Sequence, residues 1–275
     1  CASPWFAAAE DKLSPVETAE RVDRFIDQKL ADQKLQPSQS ADDAEFLRRV
    51  SLDVTGVIPT LEEAASFQAD SDPLKRSRKI DALLQCDEYV RHMTDIWREL
   101  LIPMTAASLR REHDYMIRWI EQSLRDSKPW NRFASELINA QGMQDENGAT
   151  TFYITHESLD EVTDRVSRVL LGVSIQCAQC HNHPFNEWKQ DDYWGLAAFF
   201  AGVKQVYKRE NGVERYGIGT DGNRPKFMTP PSQKVVPAKF LLGNSPQLEK
   251  DAPAVPLLAD WLADPNNPYL ARAIT

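Results

Sequence analysis

Residues 158–181 read SLDEVTDRVSRVLLGVSIQCAQCH, and the rest of the chain is interpreted around them. Ser158 followed three residues later by Glu161 is a helix-start pattern: a hydroxyl that takes a free backbone N–H, with a carboxylate in the first turn. Val162, Val166, Val169, Leu170 and Val173 then recur in steps of three and four, and the same steps lead on to Cys177, Cys180 and His181. The spacing predicts one helix from Ser158 to about Asn182, with all three groups on its buried face. His183 precedes Pro184, whose ring disfavours helical geometry in the residue before it, so the helix is expected to stop there.

Two thiols three positions apart with a histidine directly after them are the attachment pattern of c-type haem. The thiols add to the two vinyl groups and the histidine ligates the iron. On this reading Cys177 and Cys180 anchor a covalent haem c, and His181 is its proximal ligand. His183, Phe185, Trp188 and Tyr193 are candidate pocket residues, Tyr193 as part of a further helix expected over Asp191–Ala201.

Two other readings of the motif stand beside this one. Cys177, Cys180, His181 and His183 could supply four zinc ligands, although tetrahedral sites usually join two ligand pairs across a loop. A redox pair of the thioredoxin kind would sit at the start of a helix, where the dipole acidifies the thiol, whereas here the pair follows one. For the sixth iron position His156 is the distal candidate, and His92, His113, Met93, Met104, Met116 and Met143 are chemically able. Most of these lie in helical stripes where packing explains them.

Upstream, helix starts are legible at Ser14-Pro15-Val16-Glu17, near Ser40, at Thr60-Leu61-Glu62-Glu63 and at Asp72-Pro73. Helical stripes follow over 87–101 and 109–125, and a short helix begins at Pro129. Residues 142–157 turn polar and read as a loop. Beyond Val203, glycines and prolines accumulate around short β-prone pieces such as Val213–Ile218 and Lys234–Leu241, which predicts an irregular region with one hairpin. Helices are expected again at Pro256–Leu262 and from Asn267-Pro268. The fold class is therefore mainly α: a multi-helical orthogonal array with an irregular, partly β subdomain after residue 203. The expected organisation is 1–13 as a leader, 14–203 as the helical domain bearing the motif, 204–250 as irregular, and 251–275 as the helical start of a following domain.

A balance of 32 basic against 41 acidic side chains, net −9, argues against nucleic-acid or anionic-lipid binding. Four cysteines in 275 residues are too few for a disulfide framework, and Cys86 reads as a buried small hydrophobe. No apolar run is long enough for a membrane-spanning helix. The small residues Ala7 and Ala9 before Glu10 resemble an export cleavage site, and a lipid anchor on Cys1 is the other route to the same exported location, periplasmic or at the cell surface.

The string Cys177-Ala-Gln-Cys-His-Asn-His-Pro-Phe with Trp188, Gln190, Asp192-Tyr193 and Ala197-Ala198-Phe199-Phe200 resembles the planctomycete cytochrome-like domain family of unknown function, as does Arg48–Thr60. The likeness covers about residues 20–203. Val236–Leu241, Leu258–Leu262 and Asn267–Arg272 resemble the join to the domain that usually follows. The resemblance implies a haem-c-like site on Cys177, Cys180 and His181 in an exported protein, with a redox protein or the downstream domain as partner. It supplies no reaction, and the loop bearing His156 fits its pattern less well. The expected function is single-electron transfer. The alternatives are a five-coordinate haem oxidoreductase acting on an exported polymer, and a non-haem zinc or structural module.

Overall fold

Several helices of this protein begin where a short polar side chain meets free backbone N–H groups. In the capping box at Pro15–Asp32 (α1), Ser14 Oγ accepts from Glu17 N while Glu17 accepts from Ser14 N at 2.7 Å. Thr60 and Glu63 repeat the arrangement at Leu61–Ala69 (α3). The computed structural model describes residues 14–103, 110–156, 158–221, 234–241, 243, 245–248 and 252–275. Met104, the segment 1–13 with Cys1, and parts of 204–250 lie outside the described residues.

The chain divides into two compact units, one of residues up to Val50 with Pro59–Lys75, the other of Ser51–Ile58 with Arg76–Thr275. In the first, Phe46 of Asp43–Thr55 (α2) stacks on Phe67 of α3 at 6.0 Å. Lys75 pairs with Asp43 at 2.6 Å and donates to the carbonyls of Phe67 and Asp70. α1 has no buried residue: Val22, Phe25 and Ile26 on it stay exposed.

In the second unit the core is built from Asp87–Leu101 (α5), Arg110–Arg125 (α6), Trp130–Ile138 (α7), Thr151–Ile154 (α8), Leu159–Val169 (α9), Gln190–Ala197 (α10), Val255–Ala263 (α11) and Pro268–Ile274 (α12). The helix Lys75–Leu84 (α4) precedes them. Cys86 is half-buried at the start of α5, its thiol donating to Leu83 O. Trp97, Trp119, Trp130 and Phe133 form one aromatic cluster, with Trp119 and Phe133 centroids 4.6 Å apart. α11 lies against α7, and its Leu258, Ala259 and Leu262 join the same apolar cluster as Leu137 and Val166.

Three antiparallel strands complete this unit: Gly142–Met143 (β1), Val203–Glu210 (β2) and Val213–Thr220 (β3), in the order β1-β3-β2. Asn211 and Gly212, with φ of 53° and 80°, make the two-residue turn whose twist suits a hairpin. The protein is thus mainly helical with a small sheet, as its sequence predicts.

Three local expectations are corrected. Residues 142–156 are not simply a loop: β1 pairs with β3, and Phe152, Tyr153, Ile154 and His156 are buried. Part of their polarity is satisfied internally, Gln144 donating to Thr151 Oγ1 and Tyr153 to Ile138 O. Residues 234–241 are irregular apart from an isolated bridge at Val236. Finally, the helix from Ser158 ends at Val169, well before the cysteines.

Candidate functional site

The end of α9 decides where the cysteines go. Leu170 and Leu171 both donate their N–H to Val166 O, and Gly172 turns the chain at φ +63°, a left-handed conformation that costs glycine nothing and ends helices. Val173 N closes on Ser167 O at 2.9 Å. The stripe of threes and fours therefore breaks at Gly172. Gln176–Gln179 re-forms only as a single tight turn of the 3-10 kind, with Ala178 buried and Cys177, Cys180 and His181 exposed. The buried-face expectation for these three residues is overturned: the turn sets its alanine inward and its thiols outward.

Side chains hold this turn in place. From α10, Gln190 Nε2 donates to the carbonyls of Gln179 and Cys180, both at 3.1 Å, and Trp194 Nε1 donates to Gln179 O at 3.0 Å. Gln190 and Trp194 are four apart and so share a helix face, the one sequence signal that could have marked them. From α9, Arg168 bridges Asp164 at 2.8 Å and Gln176 Oε1 at 2.9 Å. Asp191 and Asp192, at the start of α10, pair with Lys234 and Lys239.

Both thiols of the turn are free. His181 Nδ1 lies 2.8 Å from Asn182 O. A carbonyl only accepts, so Nδ1 holds the hydrogen and Nε2 keeps its lone pair. His183 is half-buried and does something else: its Nδ1 accepts from Phe185 N and Asn186 N at 3.2 and 3.1 Å, and its own N–H donates to Trp188 O. It orders the loop after the motif. Phe185 is 90% exposed, Trp188 is partly buried against the core, and Tyr193 is wholly buried. Burial, chiefly, with Asp160, Asp164 and Cys180 nearby, pushes the Tyr193 phenol well above its usual range, and its hydroxyl has no hydrogen-bond partner among the described residues. Tyr193 thus belongs to the core beneath the turn.

His156 is not brought to the motif. It is 4% exposed, its Nδ1 donates to Phe152 O at 2.5 Å, and its ring packs at a tilt of 47° against that of Phe152, with centroids 4.8 Å apart. Burial, the largest influence, and the Arg165 charge hold it below the ordinary histidine range, against the Phe152 carbonyl and Glu161. It lines a half-open cavity of about 400 Å³ with Tyr153, Leu159, Val162, Phe200 and Gln205, and none of Cys177, Cys180 and His181 lines it. Of the other sixth-ligand candidates, Met116 and Met143 are buried, Met93 packs against the core and His92 lies against Gly56. His113 is half-buried.

Among the described residues no three His, Cys, Asp or Glu side chains are grouped to hold a metal ion, so Cys177, Cys180, His181 and His183 do not converge as a zinc site would need. Among those residues, too, no helix is long and apolar enough to cross a membrane.

Fold and turn together define a class: a mainly helical protein that presents a Cys-x-x-Cys-His turn on its surface, braced from within. The chain belongs to PSCyt2, described as a protein of unknown function (DUF1549), whose profile matches residues 21–205. No curated protein and no solved structure matches it.

Proposed function

We propose that the protein is an exported c-type haem-binding domain that transfers electrons, with Cys177 and Cys180 as thioether anchors and His181 as the ligand to iron. The observation that carries the reading is the turn itself: two free, exposed thiols, and beside them an imidazole whose Nδ1–H is occupied by Asn182 O and whose Nε2 lone pair is left for a metal. This donor set fits the group. Haem attachment needs no convergent cage of side chains before the cofactor arrives, which is what separates it from the zinc reading.

When bound, the haem supplies a one-electron couple. The chain's own residues do the rest. Asn182 O fixes the His181 tautomer; Gln190 and Trp194 hold the carbonyls of the turn so that thiols and imidazole keep one orientation; Phe185 offers an uncovered apolar ring beside the motif. The partner in electron transfer is a redox protein or a following domain of the same polypeptide.

The test is expression of the full chain outside the cytoplasm with a cytochrome c maturation system, followed by a pyridine haemochrome spectrum of the denatured, washed protein. Covalent haem is expected in the wild type and absent from Cys177→Ala/Cys180→Ala. A colourless, iron-free product that remains folded would sink the reading.

A further inference from the structure

The cysteine turn carries a second chemistry, which stands or falls without the haem reading. Cys177 lies within Gln176–Gln179, and Cys180 follows directly in right-handed helical geometry, with φ −102° and ψ −30°. In a turn of the 3-10 kind, side chains three apart stand one above the other, and three steps of about 2.0 Å put the two Cα atoms roughly 6 Å apart. A disulfide spans about 4.4–6.8 Å between Cα atoms, so the pair can be bridged where it stands.

The spacing is held from outside the turn. Ala178 is buried, Gln190 Nε2 donates to the carbonyls of Gln179 and Cys180, Trp194 Nε1 donates to Gln179 O, and Arg168 donates to Gln176 Oε1. Holding two reacting groups in place turns a bimolecular step into a unimolecular one. Both thiols are free and exposed, so a reactant in solution reaches either. Cys86 is half-buried with its thiol donating to Leu83 O, which leaves Cys177 and Cys180 as the exposed pair among the described residues.

We propose that in the haem-free chain Cys177 and Cys180 form a reversible two-electron thiol–disulfide couple, whose co-substrate is a small soluble disulfide. The thiolate of one cysteine attacks a sulfur of the incoming disulfide, whose S–S bond breaks as its first thiol leaves. The thiolate of the other cysteine then attacks the protein sulfur of the mixed disulfide, forming the bond between Cys177 and Cys180 and releasing the second thiol. The protein pair is oxidised by two electrons and the incoming disulfide is reduced by two. The two cysteine protons end on the two released thiols, and an excess of the same small thiol reopens the ring.

The test equilibrates the full, haem-free chain in glutathione buffers of graded reduced-to-oxidised ratio, followed by acid quenching, alkylation and peptide mass spectrometry. With oxidised glutathione in excess, the peptide holding both residues is expected to lose two hydrogens and take up no alkyl group; reduced glutathione in excess is expected to restore both labels. Cys177→Ala and Cys180→Ala are each expected to stop at a single glutathione adduct. Gln190→Ala with Trp194→Phe, shown to be folded by circular dichroism, is expected to need a buffer about tenfold more oxidising for half closure, because the braces that hold the pair together are lost. Should that variant not fold, the wild type titrated in concentrated urea decides, with the same shift expected. Both labels retained in excess oxidised glutathione, a mixed disulfide that persists in the wild type, or closure unaffected by loss of the braces overturns the proposal.

Discussion

Each of three histidines that the sequence offers to the motif has a setting fixed by which ring nitrogen is occupied. His181 spends Nδ1 on a carbonyl and keeps Nε2, His183 spends Nδ1 on two backbone N–H groups, and His156 is buried with one nitrogen bonded. The sequence offered His181 as the proximal ligand, His183 as a pocket residue and His156 as a distal candidate. It could not show their hydrogen bonds, so His183 was legible as a loop residue through Pro184 while the burial of His156 was not. Burial has a consequence for pH. His156 and His113 both titrate below the ordinary value of 6.5, each chiefly through desolvation. Above that value folded and unfolded chains are both neutral at these sites and their contribution to stability is whole. As pH falls through it, the unfolded chain takes up protons that the folded chain refuses, and stability declines until the folded groups titrate. Melting temperature is therefore expected to drop between pH 7.5 and 5.5, with a shallower slope in His156→Gln. An unchanged slope would assign the decline to other groups.

At the scale of elements, what was legible was local. Capping residues at Ser14, Thr60, Ser158 and Asn267 begin helices where they stand in sequence, because a cap is satisfied within three residues. What was not legible depended on distant partners or on one residue overriding a pattern. β1 exists only because Gly142 and Met143 pair with Ile218 and Gly217. α9 ends at Val169 and the chain turns at Gly172, although the apolar period of the sequence continues. Gly172→Ala must hold alanine at positive φ with its Cβ 3.3 Å from Ala273 Cβ; a loss of about 1–2 kcal/mol is expected in urea unfolding. Gly148→Ala is more severe, since the new Cβ would fall 2.2 Å from the Tyr115 carbonyl oxygen and backbone would have to move. About 1–3 kcal/mol is expected there. Variants as stable as the wild type would contradict this account of both turns.

At the scale of the molecule, the family match and the buried core do not share a boundary. The match ends at residue 205, inside β2, whereas β3, α11 and α12 contribute Ile218, Leu258, Leu262 and Leu270 to one apolar cluster with Met116, Val166 and Phe200. A fragment of residues 21–205 is therefore expected to unfold without cooperativity and to bind a hydrophobic dye, while the 275-residue chain unfolds in a single main transition from its larger unit. A sharp, dye-free transition in the fragment would show that the C-terminal elements are dispensable. Leu258→Ala in the full chain is expected to cost about 2–5 kcal/mol, read as a lower urea midpoint.

The cysteine turn is fastened to the body by the side chains of Gln190, Trp194 and Arg168. Such fastenings can be released and remade without unravelling a helix, so the order of assembly is left open to a late step. If the turn carries the haem proposed above, the polypeptide can acquire its fold first and receive that group afterwards, by machinery that handles a finished surface.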